Sequence, residues 1–266
     1  MGGGGVAADS AGNLFFSTGN GTFDQNAGGG DYGDTLLKLS PSGAVSDYFT
    51  PYNYQALDSG DIDLASGGVI LLPDQPGAHP HEVIADGKGG TIYLVDRDNM
   101  GHVGTNNDNQ IIQSDINVFP TGGSFNTGNY SQPTYFNGRV YFAPVAGPVM
   151  AFSLTNGLLS TSPTSQSSAI FNGKTATFSA RGGETAISAN GNSNGILWAL
   201  QSNGDSLPGT LHAYDPSNLA NEYWNSDKSG TRDQLDPWLK FTLPLVANGH
   251  VYVVSQGRLT AFGLLP

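Results

Sequence analysis

A unit of two hairpins recurs five times along this chain, and that recurrence predicts an all-β fold of the propeller kind. The clearest marker is the third strand of the unit. It reads Leu36-Leu37-Lys38-Leu39-Ser40, Ile92-Tyr93-Leu94-Val95-Asp96, Val149-Met150-Ala151-Phe152-Ser153, Leu211-His212-Ala213-Tyr214-Asp215 and Leu259-Thr260-Ala261-Phe262-Gly263. Successive copies start 56, 57, 62 and 48 residues apart, a spacing suited to four short strands and their turns. The 38 Gly and 15 Pro fall between apolar runs, and no stretch sustains a helical period.

The copies can be laid out in order. The first runs Gly4 to Asp9, Asn13 to Thr18, Thr35 to Leu39 and Val45 to Thr50, with a polar loop, Gly19 to Asp34, inserted before its third strand. The second runs Gly68 to Leu72, Glu82 to Ala85, Thr91 to Val95 and Gln110 to Ser114. The third runs Gln132 to Phe136, Arg139 to Pro144, Pro148 to Leu154 and Leu158 to Thr161. The fourth runs Glu184 to Ala189, Ile196 to Gln201, Thr210 to Tyr214 and Glu222 to Asn225; Asn218 to Trp224 could instead form one helical turn. The fifth has three strands, Pro244 to Ala247, His250 to Ser255 and Arg258 to Phe262. Its first turn, Asn248-Gly249, is the strongest short-range hairpin signal because both residues tolerate positive φ, and Gln256-Gly257 turns the chain again. The expectation is about five four-stranded antiparallel blades, the last incomplete. They form one domain over residues 1–266, or the C-terminal part of a longer propeller. The opening Met1-Gly2-Gly3-Gly4-Gly5 enters almost directly into strand-like sequence, as a chain with an upstream part missing would.

The strand motifs carry a resemblance. Ala247-Asn248-Gly249-His250-Val251-Tyr252-Val253, followed by Gly257-Arg258-Leu259-Thr260-Ala261-Phe262, resembles the repeat of quinoprotein-like (PQQ-like repeat) β-propellers. Gly90 to Gly101 and Gly209 to Asp215 are similar to the Gly-x-Leu-Tyr-Ala-Leu-Asp form of the same strand. The resemblance touches all five copies and implies the fold. It does not imply the quinone, because many such propellers bind none and the adjacent cysteine pair of quinone-dependent alcohol dehydrogenases has no counterpart in a chain without Cys. It also implies a periplasmic or extracellular setting, which the polar loops suit, although no signal peptide is visible.

Composition removes several partners. Ten Lys and Arg face 22 Asp and Glu, a net charge of −12, so nucleic acid and anionic membrane surfaces are not expected. No apolar run reaches membrane-spanning length. Without cysteine there are no disulfides, thiolate metal sites or Cys nucleophiles.

Two stretches carry candidate chemistry. In His79-Pro80-His81-Glu82, extended backbone would project both imidazoles to one side, a spacing that can ligate a divalent metal such as zinc; Asp74 lies close before it, and Asp96, Asp98 and His102 follow the next turn. Asp58-Ser59-Gly60-Asp61-Ile62-Asp63 offers carboxylates spaced as in calcium loops, with Asp61 and Asp63 the candidate ligands, but no closing Glu follows. The loop Asp24 to Asp34 is a candidate lid or second cation loop. Arg181, Glu184 and His212 could meet near a central channel. No nucleophile elbow and no phosphate-binding glycine loop occurs.

The function expected from the sequence is a binding or scaffold module for a small molecule, a glycan or a protein. The alternative is a metal-dependent hydrolase or oxidoreductase with its site at the axial mouth. An unpaired edge along Arg258 to Phe262 would invite self-association.

Overall fold

The computed structural model describes residues 4–115, 118–119, 128–171, 182–204 and 206–263. Twenty-one strands form within them. The chain lays down β1 (Ala7–Ala8), β2 (Leu14–Ser17), β3 (Leu36–Leu39) and β4 (Val45–Thr50), then a short helix α1 (Tyr54–Ser59). It continues through β5 (Val69–Leu71), β6 (Glu82–Asp86), β7 (Ile92–Asp96), β8 (His102–Val103) and β9 (Gln113–Asp115). Next come β10 (Thr134–Phe136), β11 (Arg139–Phe142), β12 (Pro148–Thr155), β13 (Leu158–Leu159) and β14 (Ser165–Ile170). A regular set of four follows, β15 (Gly183–Asn190), β16 (Ser193–Gln201), β17 (Thr210–Asp215) and β18 (Asn218–Asn225). The last three are β19 (Leu245–Ala247), β20 (His250–Ser255) and β21 (Arg258–Phe262).

These strands pair into five sheets, in the orders β1-β2-β3-β4-β8, β5-β6-β7-β9, β10-β11-β12 with β13 and β14 both on β12, β15-β16-β17-β18, and β19-β20-β21. All pairs are antiparallel except β4 with β8, which is parallel. Asn-Gly pairs close the tight hairpins because both residues sit at positive φ: Asn137-Gly138 at 48° and 72°, Asn156-Gly157 at 52° and 75°, Asn248-Gly249 at 50° and 76°.

Strand alternation gives each sheet two faces, and the facing apolar sides of consecutive sheets meet. Phe15, Leu36 and Phe49 of the first sheet pack on Val83 and Val95 of the second. The opposite face of the same strands, Ile84 and Leu94, packs on Val140, Phe142 and Phe152 of the third. Tyr141, Val149 and Ala151 then meet Leu197, Ala199 and Tyr214 of the fourth. Leu200 and Leu211 meet Val251 and Val253 of the fifth. Each such side chain removed from water contributes about 1.5–3 kcal/mol, so the sheets hold one another in sequence order.

The two terminal faces differ. The outer face of the first sheet is covered by its own insertion: Phe23 and Tyr32 pack with Leu37, Tyr48 and Tyr54. On the fifth sheet Leu245, Val254 and Leu259 stay exposed, and no buried cluster among the described residues joins that sheet to the first.

Several local readings change. Asn218 to Asn225 is strand throughout, since pairing along β17, from His212 with Asn225 to Asp215 with Asn218, outweighs the local turn propensity of its asparagines. Helix α1, parallel strand β8 and polar strand β14 are additions, each set by tertiary contact.

Candidate functional site

His79 and His81 end the loop that leads into β6. Each imidazole has its own carboxylate: Nδ1 of His79 lies 2.7 Å from Asp96 Oδ2, and Nδ1 of His81 lies 2.7 Å from Asp98 Oδ2. Asp74 Oδ1 is 3.9 Å from the Nε2 of His81. His102 sits apart, stacked on Tyr48 at 4.3 Å between ring centroids and 3.2 Å from Asp47. Among the described residues, no group of three or more His, Asp or Glu is arranged to hold a metal ion.

Glu82, the first residue of β6, is fully buried, and neither carboxylate oxygen has a hydrogen-bond partner among the described residues. Burial pushes its carboxyl up to about 7; His79 and Arg97 pull it down and Asp96 pushes it up. A neutral acid is the cheaper form in such a place.

Asp61 and Asp63 lie after α1, and a cationic side chain already sits between them. Lys88 Nζ contacts the Asp63 carboxylate, lies 3.4 Å from Asp61 Oδ1 and donates to the Asp61 carbonyl at 2.9 Å. Asn20 donates its backbone N–H to Asp63 at 3.1 Å and its side-chain amide to Asp61 at 3.2 Å, while Gly21 N–H donates to Asp58 at 2.9 Å. Burial would raise the Asp63 carboxyl, but the Lys88 ammonium and the Asn20 N–H outweigh it and hold it low. Asp34, buried beneath, accepts from Leu64 N–H at 3.0 Å, and its carboxyl is pushed up to about 6 by burial and then by Asp63 and Asp58. These contacts tie the 19–34 insertion to the α1 loop. The insertion itself folds round Asp24, which accepts from Asp31 N–H at 2.9 Å, and serves as the aromatic cover of the first sheet.

Glu184 is buried on β15, and burial pushes its carboxyl up to about 8. His212 turns to other partners, with Nδ1 2.6 Å from Glu222 and Nε2 3.0 Å from Gln201 Oε1. Arg181 lies outside the described residues.

Two concavities stand out. One, of about 620 Å³, lies over the starts of β1 and β5, lined by Gly4 to Val6, Phe16, Gly67 to Val69 and Phe241; Asp63 is its one charged lining residue among those described. The other is an apolar cleft of about 600 Å³ between the fourth and fifth sheets, within the range of ligand sites. Trp198 and Trp224 form one wall and Val251 and Phe262 the other, with Tyr223 at the rim. Trp198 is fixed by its indole N–H, which donates to Ser188 Oγ at 2.9 Å. The charged lining residues, Arg232 and Asp233, neutralise each other at 2.6 Å. Sequence reasoning missed this cleft; Tyr223, Trp224 and Phe262 were visible individually, but their convergence was not.

No protein-family model matches the chain, and no curated protein matches it. Solved structures do. BamB from Moraxella catarrhalis superposes with a TM-score of 0.53 at 13% identity, covering 98% of this chain and 60% of that one. Saccharomyces cerevisiae Sqt1 superposes with a TM-score of 0.54 at 11% identity, covering 98% of this chain and 58% of that one. The likeness shows the fold: the chain has a β-propeller architecture, nearly all β. It spans about 60% of the length of these structures.

Proposed function

We propose that this chain is a propeller-type binding or scaffold module whose ligand engages the aromatic cleft between its fourth and fifth sheets. The observation that carries the reading is the lining itself. Two tryptophans, a tyrosine and a phenylalanine line a ligand-sized space whose charged lining residues among those described, Arg232 and Asp233, neutralise each other, which suits an apolar group. The quinoprotein-like repeat relationship remains part of the proposal, supported by the Gly-x-Leu-x-Ala-Phe strand motifs, as does the periplasmic or extracellular setting. No described helix is long and apolar enough to cross a membrane.

A neutral apolar dye, N-phenyl-1-naphthylamine, tests the reading. It should bind saturably with energy transfer from tryptophan, and Trp224→Ala should weaken binding. Binding unchanged in that variant, or no binding, would overturn the reading.

A second reading, a metal-dependent enzyme using His79 and His81, has one observation in its favour. Each ring is held through Nδ1 by a carboxylate, as metal-bound imidazoles are, leaving Nε2 for an ion. A zinc titration separates the two readings.

A further inference from the structure

One wall of the cleft is complete in itself. It belongs to the fourth sheet, β15-β16-β17-β18, and owes nothing to residues beyond 263. Its ladder sets three residues in one row: Trp198 of β16 pairs with Ala213 of β17, and Ala213 pairs with Trp224 of β18. Paired residues project to the same face, so an indole stands on either side of a methyl group. The two tryptophan backbones lie two strand spacings apart, about 10 Å. A flat ring with a carbon contact on each side needs roughly 7–8 Å. The row offers a slot of that width because its middle residue is alanine; a longer side chain at 213 would fill it.

The polar atoms around the slot are turned back to the protein. The Trp198 indole N–H donates to Ser188 Oγ at 2.9 Å. Ser188 pairs with Ile196, two residues along from the Ala186 and Trp198 pair, so it stands on the same face, beside the ring it holds. The Tyr223 hydroxyl is hydrogen-bonded to the Asp215 carboxylate. Arg232 donates to both oxygens of Asp233, at 2.7 and 2.6 Å, and to Ser229 Oγ at 2.8 Å. Of these polar lining side chains, only the Trp224 indole has no such partner among the described residues. A ligand rich in hydroxyls would lose water here without gaining partners.

We propose that the cleft selects a flat, neutral aromatic ring system poor in hydrogen-bonding groups, laid over Ala213 between Trp198 and Trp224, and that Ser188 is the positioning residue that fixes the Trp198 ring. This rests on the reading of the cleft as the ligand site and names the class of ligand. A glycan, which the sequence leaves open, does not suit this lining.

The test is a titration of the full chain with N-phenyl-1-naphthylamine, read by energy transfer from tryptophan. Naphthalene should displace the dye, and cellotriose in large excess should not. Ala213→Leu puts a branched side chain into the slot without replacing either indole. It should weaken dye binding about tenfold or more and keep or raise the melting temperature, as cavity-filling substitutions do. If that variant folds poorly, Ala213→Val makes the same test with a smaller side chain that suits a strand. Ser188→Ala lets the indole turn, so it should weaken binding about two- to tenfold at an unchanged melting temperature. Ser188→Thr keeps the acceptor and should bind as the unaltered chain does. Unchanged binding in Ala213→Leu or in Ser188→Ala, or displacement by cellotriose, would overturn the proposal. If Trp224→Ala weakens binding and Ala213→Leu does not, the slot alone fails; no dye binding to the unaltered chain sinks the cleft reading with it.

Discussion

Trp224 meets Phe262 edge to face, ring centroids 5.5 Å apart, beside the cleft between the fourth and fifth sheets. Tyr214 occupies the position equivalent to Phe262 one sheet earlier, and there Leu219 is packed beside it. That earlier interface is filled by packed side chains, whereas the described residues leave a ligand-sized space beside Phe262.

The first contrasts two equivalent phenylalanines. Phe152 is fully enclosed between the second and third sheets, whereas Phe262 borders the open cleft. Phe152→Ala should cost about 3–5 kcal/mol by opening a sealed cavity. Phe262→Ala leaves a space that water already reaches and should cost only about 1 kcal/mol. Urea denaturation of both variants measures the difference, and equal losses would contradict an open cleft.

The second concerns Glu82. Its carboxyl holds the proton up to about pH 7 when folded, against an ordinary value of 4.5 when unfolded. As pH rises through this window the unfolded chain ionises first, so the folded state loses stability between about 4.5 and 7. The loss from this one group is on the order of 3 kcal/mol at full ionisation. Glu82→Gln should raise the melting temperature at pH 8 and change it little at pH 4. Destabilisation at pH 8 would show that the carboxylate has a partner there.

The third concerns Lys88. Its ammonium joins Asp61 and Asp63 and locks the 19–34 insertion in place through Asn20. Lys88→Met should cost about 1–3 kcal/mol by stranding two carboxylates. Adding Asp63→Asn should recover part of that loss, and additive losses in the double variant would contradict the coupling.

The fourth separates the binding module from the metal enzyme. The binding reading expects the same melting temperature with chelator and with zinc. A rise with zinc that disappears in His79→Ala and His81→Ala would support ligation instead, because a metal bound to the native state adds stability by mass action.

The sequence revealed the architecture more fully than the site. Strands β19, β20 and β21 were legible almost to the residue, because Asn248, Gly249 and Gly257 sit in turns at positive φ, a backbone that such residues favour. Strand β14, Ser-Gln-Ser-Ser-Ala-Ile, carries no apolar alternation and forms because β12 offers it a ladder, which local sequence cannot show. Helix α1 spans six residues, too few for a periodic signal. The carboxylates Asp61 and Asp63 were legible as candidate cation ligands from their spacing, but the Lys88 ammonium beside them was not, because it comes from a different loop. The His79 and His81 spacing was visible, but Asp96 and Asp98 reach them only through the β6–β7 pairing. The cleft was invisible because its walls come from different sheets, Trp198 and Trp224 from the fourth and Val251 and Phe262 from the fifth, and a repeat count does not say which side chains meet between them.

Energy transfer from tryptophan to N-phenyl-1-naphthylamine tests the central claim most directly. A ligand site between the fourth and fifth sheets predicts saturable binding that Trp224→Ala weakens. Binding that the substitution leaves unchanged, or no binding at all, would contradict it.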